Sequence, residues 1–576
     1  MHNKFFILFH FFLVNIGIYA APLENIPVHL IQPDGTKFLC FASGDEYCNW
    51  IHDKYGNIII KDSISNYYCY ITEQSDSLIH VSQNHNGSIL KKYLPIMRTI
   101  RDRSIQMYNK STSTPYKFSL PKSKSFQTIN NIVIFVSFAD QDDYSETTIN
   151  SIKSLYSDSI SYANSVKQYY WESSYHQLKV NSLFFPTTTN IFSYKDIHPR
   201  NYYCKYSETN TIGYSTNGNA RKIREDSLLV RAMTFVRNQI PSNINLDTDN
   251  DGKVDNVCFI VKGGTTDWNT LLWPHKWDLW SIFEINGKRV SNYNFQLSDY
   301  TISHGVGVLC HEFGHTLGLP DLYHGYKDTI YNVTWNPIGV WDIMASNGYY
   351  PQQTSIYMKN KYLHWLDTIP EIKTSGKYYM YNNLAYQQQG YKIPIYNSDE
   401  YLFVEYRNKN QHYDMTLPNS GLLIYRINPD KDGNFRAIEG GGKNDEIYVY
   451  RPNGNFVSNG NISLAPFCTE LGNTNFNEST NPEQFLSDGS YGNIYISNVS
   501  NCDSVITFDV KICNPNNISY SNNCNIPEYT NGKTITATNV TINGDAVFEA
   551  SESINLSYGF QTTIGATFEA IIKPCE

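Results

Sequence analysis

The chain of 576 residues has no dense run of Lys or Arg. Its 45 Lys and Arg stand against 54 Asp and Glu for a net charge of -9, which disfavours a phosphate-binding face for nucleic acid. No C-x-x-C pair occurs among its eleven Cys, so a zinc ribbon or a thioredoxin-type redox site is excluded. After the first residues no stretch reaches transmembrane length. Apolar surface, by contrast, is plentiful. A hydrophobic content of 41%, with 46 Tyr, 29 Phe and 9 Trp, is enough for several cores and argues against a disordered or fibrous chain. At roughly 150 residues per domain the length predicts three to four domains.

The start, MHNKFFILFHFFLVNIGIYAAP, sets Lys4 before an apolar run from Phe5 to Tyr19, followed by Ala20 and Ala21. The run is about 15 residues against the roughly 20 needed to cross hydrocarbon, so residues 1–20 read as a cleaved signal peptide. A secreted or cell-surface protein without a transmembrane span is expected, and its Cys should form disulfides in an oxidising compartment. Cys502 with Cys513 and Cys524 with Cys575 are the expected pairs, and the odd count leaves at least one thiol over.

Residues 21–124 divide into a small β-rich unit, with strand-like pieces at Pro27 to Ile31, Asn57 to Ile60 and Tyr67 to Ile71, and a polar linker from Arg98 to Lys124. That arrangement suits a propeptide. Over 125–369 the pattern changes. Asn131 to Phe138 and Val257 to Val261 are continuous apolar runs of strand length, as expected for strands buried on both faces. Tyr162, Val166 and Tyr169 keep helical phase with Leu155, and Ile223 to Ile240 repeats the period through Leu228, Leu229, Ala232, Phe235 and Val236. Buried strands alternating with amphipathic helices predict an α/β domain. Over 370–512, short strands such as Tyr401 to Tyr406, Gly421 to Ile427 and Ser504 to Val510 alternate with turns and predict a β-sandwich. Residues 513–576 predict a small β module with a weak internal repeat, Val547-Phe-Glu-Ala550 echoed by Thr567-Phe-Glu-Ala570. The expected architecture is multidomain: propeptide, α/β catalytic domain, β-sandwich and C-terminal β module.

The chemistry lies in Gly305 to Tyr323, GVGVLCHEFGHTLGLPDLY. On a helix, His311 and His315 share a face and can point one nitrogen each at a single Zn2+. Glu312 beside them can take a proton from a water whose pKa the metal lowers, then pass it to a leaving amine. Gly318 can turn the chain so that Asp321 returns as a third ligand, leaving one position open. His304, His324 or a more distant carboxylate are alternatives for that place. A second constellation, Asp247, Asp249, Asp251 and Asp255 around Gly252, has the alternating carboxylates of a calcium loop, but Cys258 stands where an EF-hand has its bidentate Glu. His275, flanked by aromatics, reads as structural. Cys310 reads as a small core residue, and Cys40, Cys48 and Cys69 are candidates for holding a zymogen latent on the zinc.

H-E-x-x-H-x-x-G-x-x-D with a later Met resembles the metzincin metallopeptidases. HEFGHTLGLPDLY followed by Gly339-Val-Trp-Asp-Ile-Met344 resembles, within them, the immune inhibitor A family of secreted bacterial proteases. The resemblance runs over roughly Ile132 to Val510 and includes Ser165-Val-Lys-Gln-Tyr-Tyr-Trp-Glu-Ser-Ser174, Trp273-Pro-His-Lys-Trp277 and Glu400-Tyr-Leu-Phe-Val-Glu-Tyr-Arg407. It implies a metzincin-like catalytic domain, with Met344 as a Met-turn beneath the zinc. The commonest metzincin pattern has His where this chain has Asp321. The C-terminal module resembles tail repeats of secreted bacterial proteins, which implies attachment to cell surfaces or glycans. A secreted zinc endopeptidase of protein or peptide substrates is therefore expected. The competing class is a surface binding protein with a structural or inactive zinc site.

Overall fold

The computed structural model describes residues 23–44, 49–55, 57–61, 67–71, 78–80 and 127–575, the last range without 161–162, 216–218, 265–273, 325–326, 329–332, 382–389, 435–443 and 523. The expected signal peptide, the linker, Cys48, Tyr162 and Trp273 lie outside the described residues. The N-terminal strands β1 (Leu23–Ile31), β2 (Lys37–Gly44), β3 (Asn49–His52), β4 (Ile58–Lys61), β5 (Tyr68–Ile71) and β6 (Leu78–His80) pair in sequence order as an antiparallel meander. Cys40 and Cys69 are buried within it.

The next sheet holds β7 (Gln127–Ser137), β8 (Leu178–Phe185), β9 (Tyr194–Lys195), β10 (Val257–Val261), β11 (His275–Asp278) and β14 (Asn292–Leu297), and a hairpin of β12 (Glu284–Ile285) and β13 (Lys288–Arg289) precedes β14. Its order is β11-β14-β10-β7-β8, with β9 beside β7; every pairing is parallel except that of β11, which runs antiparallel on the edge. The unbroken apolar runs follow from burial on both faces. Val133, Phe135, Cys258 and Ile260 face one cluster, while Ile132, Ile134, Val136, Val257, Phe259 and Val261 alternate onto another.

Where the helical phase carried from Leu155 through Val166 implied continuity, there are two helices, α1 (Glu146–Ser157) and α2 (Val166–Ser173). The break has a local cause: the Ser165 hydroxyl accepts the Gln168 N–H at 3.1 Å and starts a new helix. α3 (Ala220–Val236) buries Leu228, Leu229, Ala232, Met233 and Val236, whereas Phe235 is exposed. α4 (Ser298–His304) and α5 (Val306–Thr316) follow β14 directly, and α6 (Ile356–Lys361) comes later.

Beyond α6, strands Gly376–Tyr381, Ile494–Ser497 and Val505–Ile512 form a three-stranded sheet, and Gly390–Pro394, Tyr401–Arg407, Gly421–Ile427 and Ile447–Val449 a four-stranded one. Leu402, Val404, Leu422 and Ile424 pack inward against Ile506 and Phe508. The alternate residues Phe403, Leu423, Tyr425 and Ile427 belong instead to the cluster that contains α2, α5 and one face of the parallel sheet. The region of the parallel sheet and the four-stranded sheet thus share a core.

The last strands, Asn517–Ser521, Tyr529–Thr538, Ala546–Leu556 and Phe568–Ile572, pair in parallel, each chain pass stacking on the one before. One disulfide, Cys513–Cys575, joins the first and last parts of this stack. The expected pairings Cys502–Cys513 and Cys524–Cys575 are therefore wrong. The parallel coiling returns the chain end to Cys513, which spacing along the chain does not reveal.

Candidate metal centre

α5 is an almost wholly buried helix whose end is set by Gly318. With φ +97, Gly318 takes the left-handed turn; its N–H donates to His315 O at 3.1 Å, and Leu319 N–H donates to Gly314 O at 3.0 Å. This closure sends Pro320 and Asp321 back along the helix. Within α5, His311 and His315 place their Nε2 atoms 3.1 Å apart. Each ring is held by its other nitrogen: His311 Nδ1 lies 2.9 Å from Ile343 O, and His315 Nδ1 lies 2.8 Å from Leu319 O. Donation from both Nδ1 atoms to carbonyls fixes the tautomer and leaves each Nε2 with a free lone pair. Asp321 Oδ1 lies 3.3 Å from His311 Nε2 and 3.2 Å from His315 Nε2, and it is buried without a hydrogen-bond partner.

Two ligands about 2.0–2.1 Å from a tetrahedral ion stand roughly 3.4 Å apart, so this triangle has the size a Zn2+ requires. The donor set of two imidazoles and one carboxylate suits that ion. Burial opposes the ionised form of Asp321, yet His315 and His311 hold its carboxyl well below the usual carboxylate range, ready to bind a cation. Glu312 is buried beside His311, and burial pushes it up to about 7, with His311 and Lys276 opposing the shift and Asp321 adding to it.

The turn around Met344 serves both ends of the triangle. Ile343 O takes the His311 ring, and Met344 O accepts the Leu322 N–H at 2.9 Å, next to Asp321. Met344 is fully buried, and its Sδ would lie 2.9 Å from a Cβ added at Gly314, between the two histidines in sequence. Asp342 sets the turn by accepting from Met344 N at 2.9 Å, Thr354 Oγ1 at 2.9 Å and Ser355 N at 2.8 Å.

Residues the sequence reading did not assign complete the surround. Asn434 N–H donates to Asp321 O at 2.9 Å, while its Nδ2 donates to Leu322 O at 3.0 Å and Ile447 O at 2.8 Å. Arg407, from the four-stranded sheet, donates through Nη1 to Trp341 O at 2.7 Å and through Nε to Asp414 Oδ2 at 2.8 Å. Arg407 ends one of the segments carrying the family resemblance, but no pattern assigned it a role; nothing local marked Asn434.

The other candidates lie elsewhere. His304 Nδ1 is 3.0 Å from Tyr300 O, and His324 Nε2 is paired with the buried Asp445. His275 Nε2 is 2.8 Å from Glu225 Oε1, a buried contact that secures the edge strand β11. Cys310 is buried in the core. Carboxylate oxygens of Asp247, Asp249 and Asp251 lie within 4.8 Å of one another, but Lys288 Nζ reaches Asp247 Oδ2 at 2.6 Å. Asp255 is not in that group and accepts from Thr248 N at 2.8 Å and Thr248 Oγ1 at 2.6 Å.

Among the described residues no helix is long and apolar enough to cross a membrane. Residues 248–358 match the immune inhibitor A peptidase M6 catalytic domain. A pre-pro-metalloprotease, PrtV, of Vibrio cholerae serotype O1 is 36% identical over 113 residues, covering 17% of this chain and 12% of that protein. Immune inhibitor A of Bacillus thuringiensis subsp. alesti is 34% identical over 109 residues, covering 16% of this chain and 15% of that protein. The chain thus spans less than a sixth of the length of these curated relatives. The segment bearing the histidine pair and the Met344 turn matches the immune inhibitor A peptidase M6 catalytic domain, the family whose resemblance the sequence displays.

Proposed function

We propose that this chain is a secreted zinc endopeptidase that hydrolyses peptide bonds of protein substrates and is made as a zymogen. The observation that carries the reading is the convergence of His311 Nε2, His315 Nε2 and Asp321 Oδ1 beside the buried Glu312. His311, His315 and Asp321 would hold the ion. When bound, Zn2+ supplies Lewis-acid polarisation of the scissile carbonyl and lowers the pKa of a nearby water. Glu312 accepts a proton from the attacking water and delivers it to the leaving nitrogen, as general base and then general acid. Its raised pKa matches that exchange near neutral pH. Ile343 O and Leu319 O keep the imidazoles oriented, and Met344 closes the apolar floor.

Export through residues 1–20 and latency through residues 21–124 belong to the same proposal. It also takes Ca2+ at Asp247, Asp249 and Asp251, in competition with Lys288. A calcium titration that leaves the unfolding temperature unchanged removes calcium from it.

The test is cleavage of casein by the chain lacking residues before about Phe126, with and without a zinc chelator and with zinc restored. Loss on chelation and recovery with zinc are expected. Glu312→Ala should abolish cleavage while retaining one zinc; cleavage by that variant at the parent rate would refute the role of Glu312. A folded, zinc-loaded chain without activity would instead favour the binding-protein class, because attachment through the β modules survives chelation.

A further inference from the structure

Outside the metal centre, a second group of soft ligands lies in the sandwich. Cys468 Sγ, Cys502 Sγ and a Glu470 carboxylate oxygen all lie within 4.8 Å of one another. Both thiols are directed at the same acceptor, Ser420 O, at 3.8 Å from Cys468 and 3.2 Å from Cys502. The two chain segments are held side by side by their backbones: Thr469 N–H donates to Ser500 O at 3.2 Å, and the Cys502 N–H is 3.2 Å from both Glu470 oxygens.

We propose that Cys468 and Cys502 form a disulfide in the mature protein. A chain that closes Cys513–Cys575 matures where thiols are oxidised, and two adjacent thiols there are the natural next pair. A metal is the poorer occupant. The Glu470 carboxylate already accepts the Cys502 N–H and is exposed, and among the described residues no imidazole completes the set. The neighbouring Cys502 thiol also holds the Cys468 pKa below the ordinary thiol value, which favours the attacking thiolate.

The chemistry balances with a small-molecule disulfide such as oxidised glutathione. Cys468 loses its proton and its thiolate attacks one glutathione sulfur, breaking that S–S bond and releasing one glutathione thiolate. The Cys502 thiolate then attacks Cys468 Sγ, forming the protein S–S bond and releasing the second. Two electrons pass to the glutathione disulfide, and the two cysteine protons end on two glutathione thiols.

The location gives the bond a purpose. Cys468 follows Phe467, whose backbone exchanges hydrogen bonds with Leu422 of the four-stranded sheet at 2.8 Å and 3.0 Å. Cys502 lies just before Val505–Ile512 of the three-stranded sheet. The bond therefore clamps the two sheets of the sandwich, one of which packs under the metal centre.

The full chain, produced in an oxidising compartment, is unfolded in acidic denaturant with a thiol alkylator, without reductant, and digested. The expected product is one peptide pair joining Cys468 to Cys502 that separates on reduction. Cys468→Ser and Cys502→Ser should each lower the unfolding temperature by about 5 °C, with the double variant no lower than either single one. Alkylation of both thiols without reduction, with or without prior chelation, overturns the proposal, as does a peptide joining either residue to another cysteine. Alkylation that appears only after chelation would identify a metal site instead.

Discussion

Single carboxylates in this chain differ sharply in what burial does to them. Asp255 is pushed up to about 7, first by burial, with the Thr248 hydrogen bonds opposing and the charges of Asp249 and Asp247 adding to the shift. Its folded pKa lies above the ordinary 3.8, so the folded chain holds the proton longer than the unfolded one. That contribution to stability is complete at low pH and is lost as pH rises from about 4 to about 7. Asp255→Asn should remove this slope, seen as a smaller fall in the denaturation midpoint across that window; parallel curves for both proteins would contradict it. Legibility in the sequence follows the same division. His311, Glu312 and His315 stand out because helical spacing is local, and Gly318 announces the return of Asp321 because left-handed backbone favours glycine. Asp255 looked like one more ligand of its loop, since no pattern reveals that its side chain turns to Thr248.

At the scale of elements, the candidate metal centre is a helix end clamped between two turns. The parallel strands were legible because burial on both faces leaves an unbroken apolar run, and Val257 to Val261 matches β10 residue for residue. The break between α1 and α2 was not, because the hydrophobic phase continues across it and only the Ser165 cap decides. The second turn, Gly433–Asn434, was equally hidden, since it reaches Asp321 from a distant part of the chain. Gly433 has φ +71, and an added Cβ would lie 2.7 Å from Pro320 Cβ and 2.9 Å from Asp321 O. Gly433→Ala should therefore displace the Asp321 turn and weaken zinc binding about 10- to 100-fold, the range seen when partners of ligands are disturbed. Asn434→Ala should act in the same direction by releasing Leu322 O, which the Asn434 side chain holds at 3.0 Å next to Asp321. Competition with a chromophoric chelator measures both, and zinc affinity equal to that of the parent in folded Gly433→Ala would refute the clamp.

At the scale of the whole molecule, the boundary read near residue 369 runs through a packed core. Tyr413 stacks edge-on against Tyr169 of α2 at 5.0 Å and donates its hydroxyl to Ala163 O at 2.9 Å. Arg407 sends its guanidinium to Trp341 O, and the Arg407–Asp414 pair is fully buried, so losing one partner strands a charge inside. The C-terminal stack differs. Its buried residues, Ile535, Ala537, Val540, Ile542, Phe548 and Ala550 among them, form their own cluster, and it meets the sandwich through polar contacts such as Ser375 Oγ to Glu549 Oε1 at 2.7 Å. Two truncations should therefore behave oppositely. Ending the chain at residue 512 should leave a cooperatively unfolding protein that binds one zinc, because only the separate cluster is lost. Ending it at residue 369 should expose the apolar faces of α2 and α5 and give an aggregating chain without measurable zinc affinity. Circular dichroism melts with zinc analysis of both truncations decide the matter: a soluble, zinc-binding chain ending at residue 369 would mean that the four-stranded sheet is an appendage, and that the clamp at Asp321 contributes little to the centre it surrounds.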